Sequence, residues 1–346
     1  MRTLSPMLGA VALFAVGAMP AAATTDMHSL HLGMRPSVDQ LIKMSAAPRR
    51  VVERALKLKR GKRPAAFRKQ VSGPTIYVSD YTTSVIWQLD TAGNVVGSLT
   101  DCLNPQGIRV DGSGDLWAAC SGASSINEYA PSAVNATMVL NDPGEIPVDV
   151  TVNGDGTVYV SNIYNVSFGP GDVVYYRRPQ NGASPTGALT DSNIYSSRFL
   201  DVDGRGNVYV DYLTSSNGVR IDEFAVSRHG HSHPATLPIS LGFPGGVWAE
   251  SQTGMLDVLD QFAYGIGQYD VRNGYAQTNL IGPFQNDFGF CNVVAFGPNV
   301  DDSAFALGDA GCRVAWTYAM GSGGINYYWN IDFNLPSVAA YSPSDK

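Results

Sequence analysis

One turn recurs along this chain at the spacing of a sheet-sized repeat, and that recurrence limits the possible folds more than any other feature. Asp111-Gly112-Ser113-Gly114-Asp115-Leu116-Trp117, Asn153-Gly154-Asp155-Gly156-Thr157-Val158-Tyr159-Val160 and Asp203-Gly204-Arg205-Gly206-Asn207-Val208-Tyr209-Val210 share one pattern. A short β run feeds an Asp/Asn-Gly-x-Gly turn, whose glycines permit positive φ. A second β run carrying an aromatic residue leaves it. With the aromatic position as marker, weaker copies extend the series to Tyr77, Trp117, Tyr159, Tyr209, Asp257 and Phe305, spaced by 40, 42, 50, 48 and 48 residues. Steps of roughly 40–50 residues match one four-stranded propeller blade.

The order of the pieces says how such a ring would close. First strands, those entering each turn, are expected at Gln106 to Val110, Pro147 to Val152, Arg198 to Val202, Gly245 to Ala249, Asn292 to Phe296 and Pro336 to Tyr341. The first repeat instead opens on a second-type strand, Thr75-Ile76-Tyr77-Val78, so its missing first strand stands at the far end of the chain. The expected fold class is all-β: a six-bladed β-propeller of four-stranded antiparallel blades, closed by the C-terminal strand joining the first blade. Closure of that kind removes exposed strand edges.

The run Pro105-Gln106-Gly107-Ile108-Arg109-Val110-Asp111 through Trp117 follows the pattern Pro-x-Gly-Ile-x-Val-Asp-x-x-Gly-x-Leu-Trp. It resembles NHL-repeat propellers and the wider SMP-30/gluconolactonase-like and virginiamycin B lyase-like group, over about 270 residues by the repeat count. The resemblance implies a fold and leaves function open, because propellers host many activities. The SMP-30-like lactonases it resembles hold a metal with Glu, two Asn and Asp. This chain offers Asn162, Asn292, Asp260 and Asp309, with no matching Glu at the start of the first repeat. The lyase-like group relies on channel histidines. Here His28 and His31 precede the repeats, and His229, His231 and His233 fall between two expected strands, as an outer loop whose imidazoles would take Zn²⁺, Ni²⁺ or Cu²⁺ only adventitiously.

Three segments are expected: a signal peptide over 1–23, a basic leader over 24–72 and the propeller over 73–346. Arg2, the apolar run Met7 to Met19 and Ala21-Ala22-Ala23 read as export and cleavage signals. The leader holds twelve Lys/Arg against three acids, and the body ten against twenty-seven. The leader reads either as a short basic amphipathic helix or as a flexible export spacer. An acidic body repels nucleic acid and anionic membranes. The expectation is therefore a secreted or periplasmic monomer with no nucleic-acid partner and no transmembrane span in its mature form. Export also permits disulfides. Cys102 with Cys120, and Cys291 with Cys312, bracket antiparallel strand pairs and are expected to bond, each contributing about 3 kcal/mol.

Propeller ligands sit over the channel, in loops entering first strands or leaving second strands. Repeat equivalence nominates Asp80, Tyr81, Gln106, Asn162, Asp211, Tyr212, Asp260, Asn292 and Asp309 as ligand-binding residues. A ring of carboxylates and amides suits Ca²⁺ or another divalent cation. The competing reading is that Asp and Asn end strands by satisfying free backbone groups. Tyr faces beside them suit sugars or peptide side chains, with inter-blade packing as the alternative. No Ser nucleophile elbow and no phosphate loop is present. The function expected is binding of a partner protein, sugar or small ligand on the loop-rich channel face, without catalysis; the alternative is a metal-dependent hydrolase or lyase of the lactonase-like type.

Overall fold

The Asp/Asn-Gly-x-Gly turns form because their first side chain caps the backbone that follows it. Asp111 Oδ1 accepts from the amides of Ser113 at 2.8 Å and Asp115 at 3.0 Å, and Asp203 Oδ1 accepts from Arg205 and Asn207, both at 2.9 Å. Gly114, Gly156 and Gly206 adopt φ of 85°, 82° and 91°, a region that costs glycine little and other residues much. Asp111 Oδ2 also accepts from the indole of buried Trp117 at 2.9 Å, which ties the turn to the strand leaving it.

The computed structural model describes residues 67–68, 75–90, 94–167, 169–227, 230–231, 233–250, 253–263, 265–281, 293–298, 304–309, 314–319, 324–329 and 336–341. These form one five-stranded sheet, five four-stranded sheets and a two-stranded ribbon of Val226–Ser227 with Gly230–His231. In the first sheet the strands run, in order across it, Pro336–Tyr341, Thr75–Asp80, Val85–Asp90, Val95–Leu99 and Phe67–Arg68. The second is Pro105–Val110, Leu116–Cys120, Ser125–Tyr129 and Met138–Asn141; the third is Glu145–Val152, Val158–Asn165, Val173–Tyr176 and Gly187–Leu189. The fourth is Ser196–Val202, Val208–Leu213, Val219–Phe224 and Ala235–Thr236. The fifth is Pro244–Ala249, Met255–Asp260, Gly265–Asp270 and Ala276–Ile281, and the sixth Val293–Pro298, Ala304–Asp309, Val314–Ala319 and Gly324–Trp329. All neighbouring strands are antiparallel, and the fold is an all-β propeller.

The terminal strand exchange expected from sequence is present. Ile76 pairs with Tyr341, Tyr77 with Ala340 and Val78 with Ala339. The first strands lie against one another in sheet order, and Pro336–Tyr341 touches both Val293–Pro298 and Pro105–Val110. One feature differs from expectation. Phe67–Arg68, inside the segment read as leader, pairs with Val95–Leu99 and covers the outer edge of the first sheet.

The apolar core is divided into layers between successive sheets. Tyr77, Ile86 and Leu99 pack on Ile108, Leu116 and Tyr129; Trp117, Ile126 and Leu140 pack on Val150, Val158 and Tyr176. Ile76, Val78 and Leu89 meet Ala306 and Ala315 of the sixth sheet. Cys102 and Cys120 form the expected disulfide, with Cα atoms 5.1 Å apart, both buried. Cys291 and Cys312 lie outside the described residues, as do the signal-peptide segment and the leader apart from Phe67–Arg68.

Candidate functional site

Strand direction gives the ring two unlike faces. The Asp/Asn-Gly turns lie on a lower face, whereas first strands begin and second strands finish on an upper one. The first strands bring four side chains of equivalent position to the centre. Arg109 lies opposite Trp117, Thr151 opposite Tyr159, Asp201 opposite Tyr209 and Trp248 opposite Asp257, so these four share one register across the second to fifth sheets.

They also touch. Arg109 Nη2 lies 3.1 Å from Asp201 Oδ1, and its guanidinium sits 4.1 Å from the Trp248 ring centroid. Thr151 Oγ1 donates to Asp201 Oδ1 at 2.8 Å, and the Ala249 amide to Asp201 Oδ2 at 2.8 Å. A cation from the second sheet, an anion from the fourth and an aromatic ring from the fifth thus close on one another. Their hydrogen bonds are answered within the protein, as burial of charge demands.

Two further carboxylates are enclosed beside this group. Asp149 Oδ2 accepts from the Leu200 amide at 3.1 Å, and Asp211 Oδ1 from the Phe199 amide at 2.6 Å. Burial pushes both carboxyls up to about 7, against the opposing pull of Arg109 and backbone donors on Asp149, and of backbone donors and Arg198 on Asp211. Gly107 is required here by space: a Cβ on it would meet Asp149 Oδ1 at 2.1 Å.

The nominated ligand groups occupy several different environments. Asp80 is buried and accepts from the Thr83 amide at 3.2 Å. Asp260 accepts from the amides of Gly242, Phe243 and Phe262 at 2.7, 3.1 and 2.9 Å, capping two connections. Asn162 Nδ2 donates to Asp172 Oδ1 at 2.8 Å, and Gln106 Nε2 to Ser121 Oγ at 2.6 Å. Tyr212 is fully buried, its hydroxyl donating to Asp222 at 3.0 Å. Tyr81 is half-buried, its hydroxyl pushed up to about 12 by burial, and its carbonyl accepts from Asn104 Nδ2 at 3.0 Å. Asp309 ends a strand of the sixth sheet; Asn292 lies outside the described residues.

Asp211 belongs to another series. It stands two residues after its marker Tyr209, as Ser79 does after Tyr77 and Ser161 after Tyr159. Ser79 Oγ donates to Gln106 O and Ser161 Oγ to Arg198 O, each on the next sheet, and Asp211 Oδ2 accepts from Gly246 N on the next sheet at 3.4 Å. These residues clasp neighbouring sheets. Asp80, Asn162 and Asp260 stand three residues after their markers, and one residue along a strand reverses the face.

An aromatic patch spans the upper face of the third to fifth sheets. Tyr164 meets Tyr195 edge-to-face at 5.9 Å, and Phe243 stacks on Phe262 at 5.4 Å. Arg198 joins the two pairs: its guanidinium lies 5.3 Å from the Phe243 centroid, and Tyr164 is among its electrostatic neighbours. Burial lowers the Arg198 pKa, opposed by Tyr164 and Asp211. Phe262 is 48% exposed, and two more of the large exposed apolar residues, Leu103 and Val166, lie in connections of the same face. Sequence reasoning missed Tyr195, Arg198, Phe243 and Phe262. Tyr195, Phe243 and Phe262 share one signal, a place just before a first strand or just after a second strand, whereas Arg198 lies within its first strand.

The metal set of the lactonase-like group does not assemble from the described residues. Asp260 is committed to backbone amides, Asn162 holds Asp172 through its Nδ2, and Asn292 and the Asp309 side chain lie outside the described residues. Among the described residues, no three His, Cys, Asp or Glu side chains converge as metal ligands, and no helix is long and apolar enough to cross a membrane.

No protein-family model matches the chain, and no curated protein is significantly similar to it. Among solved structures, a chain from the crystal structure of a nidogen/laminin complex is similar at a TM-score of 0.63 and 11% identity, covering 79% of this chain and 100% of that one. A protein of unknown function from Bacteroides caccae gives a TM-score of 0.59 at 12% identity, covering 79% and 99%. A gluconolactonase from Xanthomonas campestris gives 0.54 at 15% identity, covering 72% and 86%. At such identities the likeness is one of architecture, and it agrees with the strand pairing: the chain has a β-propeller fold.

Proposed function

We propose that this chain is an exported six-bladed propeller that binds a protein, carbohydrate or other small ligand on its upper face and performs no chemistry of its own. The six blades are the six large sheets, closed by the strand Pro336–Tyr341. The observation that carries the binding reading is the two aromatic pairs Tyr164–Tyr195 and Phe243–Phe262, half-buried apart from exposed Phe262 and bridged by buried Arg198, with exposed Leu103 and Val166 on the same face. Clustered exposed apolar side chains mark interaction surfaces, and aromatic faces beside polar groups suit sugars and peptides alike. Below the patch, Arg109 and Asp201 neutralise each other. The buried disulfide supports a secreted or periplasmic setting.

The test is to present the purified mature chain to immobilised peptide and oligosaccharide arrays, and separately to glucono-lactone with and without chelator. Saturable array binding without lactone turnover is expected. Chelator-sensitive turnover would replace this reading with the metal-dependent hydrolase or lyase.

A further inference from the structure

The basic leader joins the propeller from its upper side, and strand direction shows it. Val95–Leu99 ends at the connection that leads, on the upper face, into Pro105–Val110. Phe67–Arg68 lies antiparallel to it, with Phe67 opposite Ser98 and Arg68 opposite Gly97, so this short strand runs from the upper side downward. The chain before Phe67 therefore arrives over the upper rim. A parallel pairing would have brought it in from the face of the Asp/Asn-Gly turns.

Charge, apolar content and length all suit a contact there. Residues 43–63 hold nine Lys/Arg against one acid, Glu53. The described connections of the upper face contain no Lys or Arg, whereas Asp142, Asp172 and Asp191 stand in them and Glu145 and Asp260 at the strand ends beside them. Arg220, near Asp191, is exposed at the start of a strand, and Arg198 is buried. Burial, with Asp172 and Asp142 nearby, pushes Glu145 up to about 7, and a cationic neighbour would relieve that repulsion. The same face exposes Leu103, Val166 and Phe262 at 44%, 55% and 48%, and the leader carries Val51, Val52, Leu56 and Leu58 among its bases. Extended at roughly 3.3–3.6 Å per residue, the stretch from Lys43 to Ala66 reaches on the order of 80 Å. A body of this length has a radius of gyration of about 18 Å, so the stretch can cross the whole face.

We propose that the basic stretch 43–63 docks on the upper face of its own chain, its Lys and Arg against Glu145, Asp172, Asp191 and Asp260 and its aliphatic side chains against exposed Leu103, Val166 and Phe262. The inference rests on the binding reading of this face and adds the chemistry the face accepts: a cationic peptide with aliphatic residues between its charges. The leader then competes with an external ligand, and a peptide of the same chemistry displaces it. Salt weakens the docking, because the Debye length shrinks from about 10 Å at 0.1 M to about 3 Å at 1 M.

The lysines of the chain are the probe, since Lys43, Lys57, Lys59, Lys62 and Lys69 are joined by only one other, Lys346. A zero-length carbodiimide couples lysine amines directly to carboxyls, and peptide mass mapping of the exported chain with its leader then reads where the leader lies. Mixing unlabelled with ¹⁵N-labelled chain separates contacts within one copy from contacts between copies. Cross-links within one copy, from Lys43, Lys57, Lys59 or Lys62 to Glu145, Asp172, Asp191 or Asp260, are expected at low salt and should fall about fivefold at 1 M salt. Asp155, in a lower-face turn, is more exposed than any of these four acids, so accessibility alone would favour it. Cross-links mainly to Asp155, cross-links only between copies, or none at low salt would overturn the proposal. If array binding weakened by Phe262→Ala persists in that case, the inference about the leader falls and the binding reading stands. Upper-face cross-links beside silent arrays support the docked leader and count against the external ligand alone.

Discussion

The guanidinium of Arg109 on the second sheet lies 3.1 Å from the carboxylate of Asp201 on the fourth, reaching past the third sheet, whose Thr151 donates to the same carboxylate. The side chains are 12% and 6% exposed, so the pair is a structural tie that solvent hardly screens. Arg109→Met leaves Asp201 without its cation and is expected to destabilise the chain by about 3–5 kcal/mol. Adding Asp201→Asn to that variant should restore part of the loss. Urea unfolding of the two singles and the double, compared as a cycle, checks this.

Asp149 and Asp211 make stability depend on pH in a direction opposite to salt-bridged acids. Burial raises both to about 7 in the folded chain, far above the unfolded value of 3.8. Between these values the folded state holds protons that the unfolded state has released, so stability falls as pH rises through that window and levels off above it. Each group contributes a slope of at most about 1.4 kcal/mol per pH unit. Asp211→Asn is expected to flatten its share of the decline, read from denaturation midpoints between pH 5 and 8. A wild-type chain whose stability rises with pH over that interval contradicts the assignment.

The disulfide between Cys102 and Cys120 ties the entry of a first strand to the end of its partner, closing a loop of 18 residues in sequence separation. Its removal by Cys102→Ser with Cys120→Ser is expected to cost roughly 3 kcal/mol, mainly by freeing the unfolded chain. Calorimetry on the wild type and the double variant measures it.

Truncation before Pro336 removes the strand that pairs with Thr75–Asp80 and leaves that edge open. The shortened chain is expected to melt earlier and to associate, since an unpaired edge is a template for further strands. Sedimentation velocity combined with thermal melting reports both effects.

The strand plan was legible from Asp111, Asn153 and Asp203 because turn chemistry is local: a capping carboxylate or amide and a glycine at positive φ announce themselves within a few residues. All six first strands fall within two residues of their expected limits. The channel was harder to read. Arg109, Thr151 and Asp201 each stand two residues before the turn residue that follows, a signal present in the sequence. Its meaning depends on which alternate residues face inward, and that is set by how sheets pack around the ring. The nomination of Asp211 beside Asp80 and Asn162 shows the same difficulty, since a one-residue offset puts the side chain on the other face of its strand, where Asp211 clasps the neighbouring sheet. Phe67–Arg68 lay hidden because two residues carry no periodicity.

The binding face itself is tested most directly by comparing substitutions on the two ends of the ring. Phe262→Ala and Tyr164→Ala on the upper face should each weaken the array-identified interaction at least tenfold with an unchanged melting temperature, and Val226→Ala, 50% exposed beside a lower-face turn, should leave it intact. Loss of binding from Val226→Ala, with Phe262→Ala and Tyr164→Ala behaving as wild type, would place the ligand on the opposite end and contradict the account.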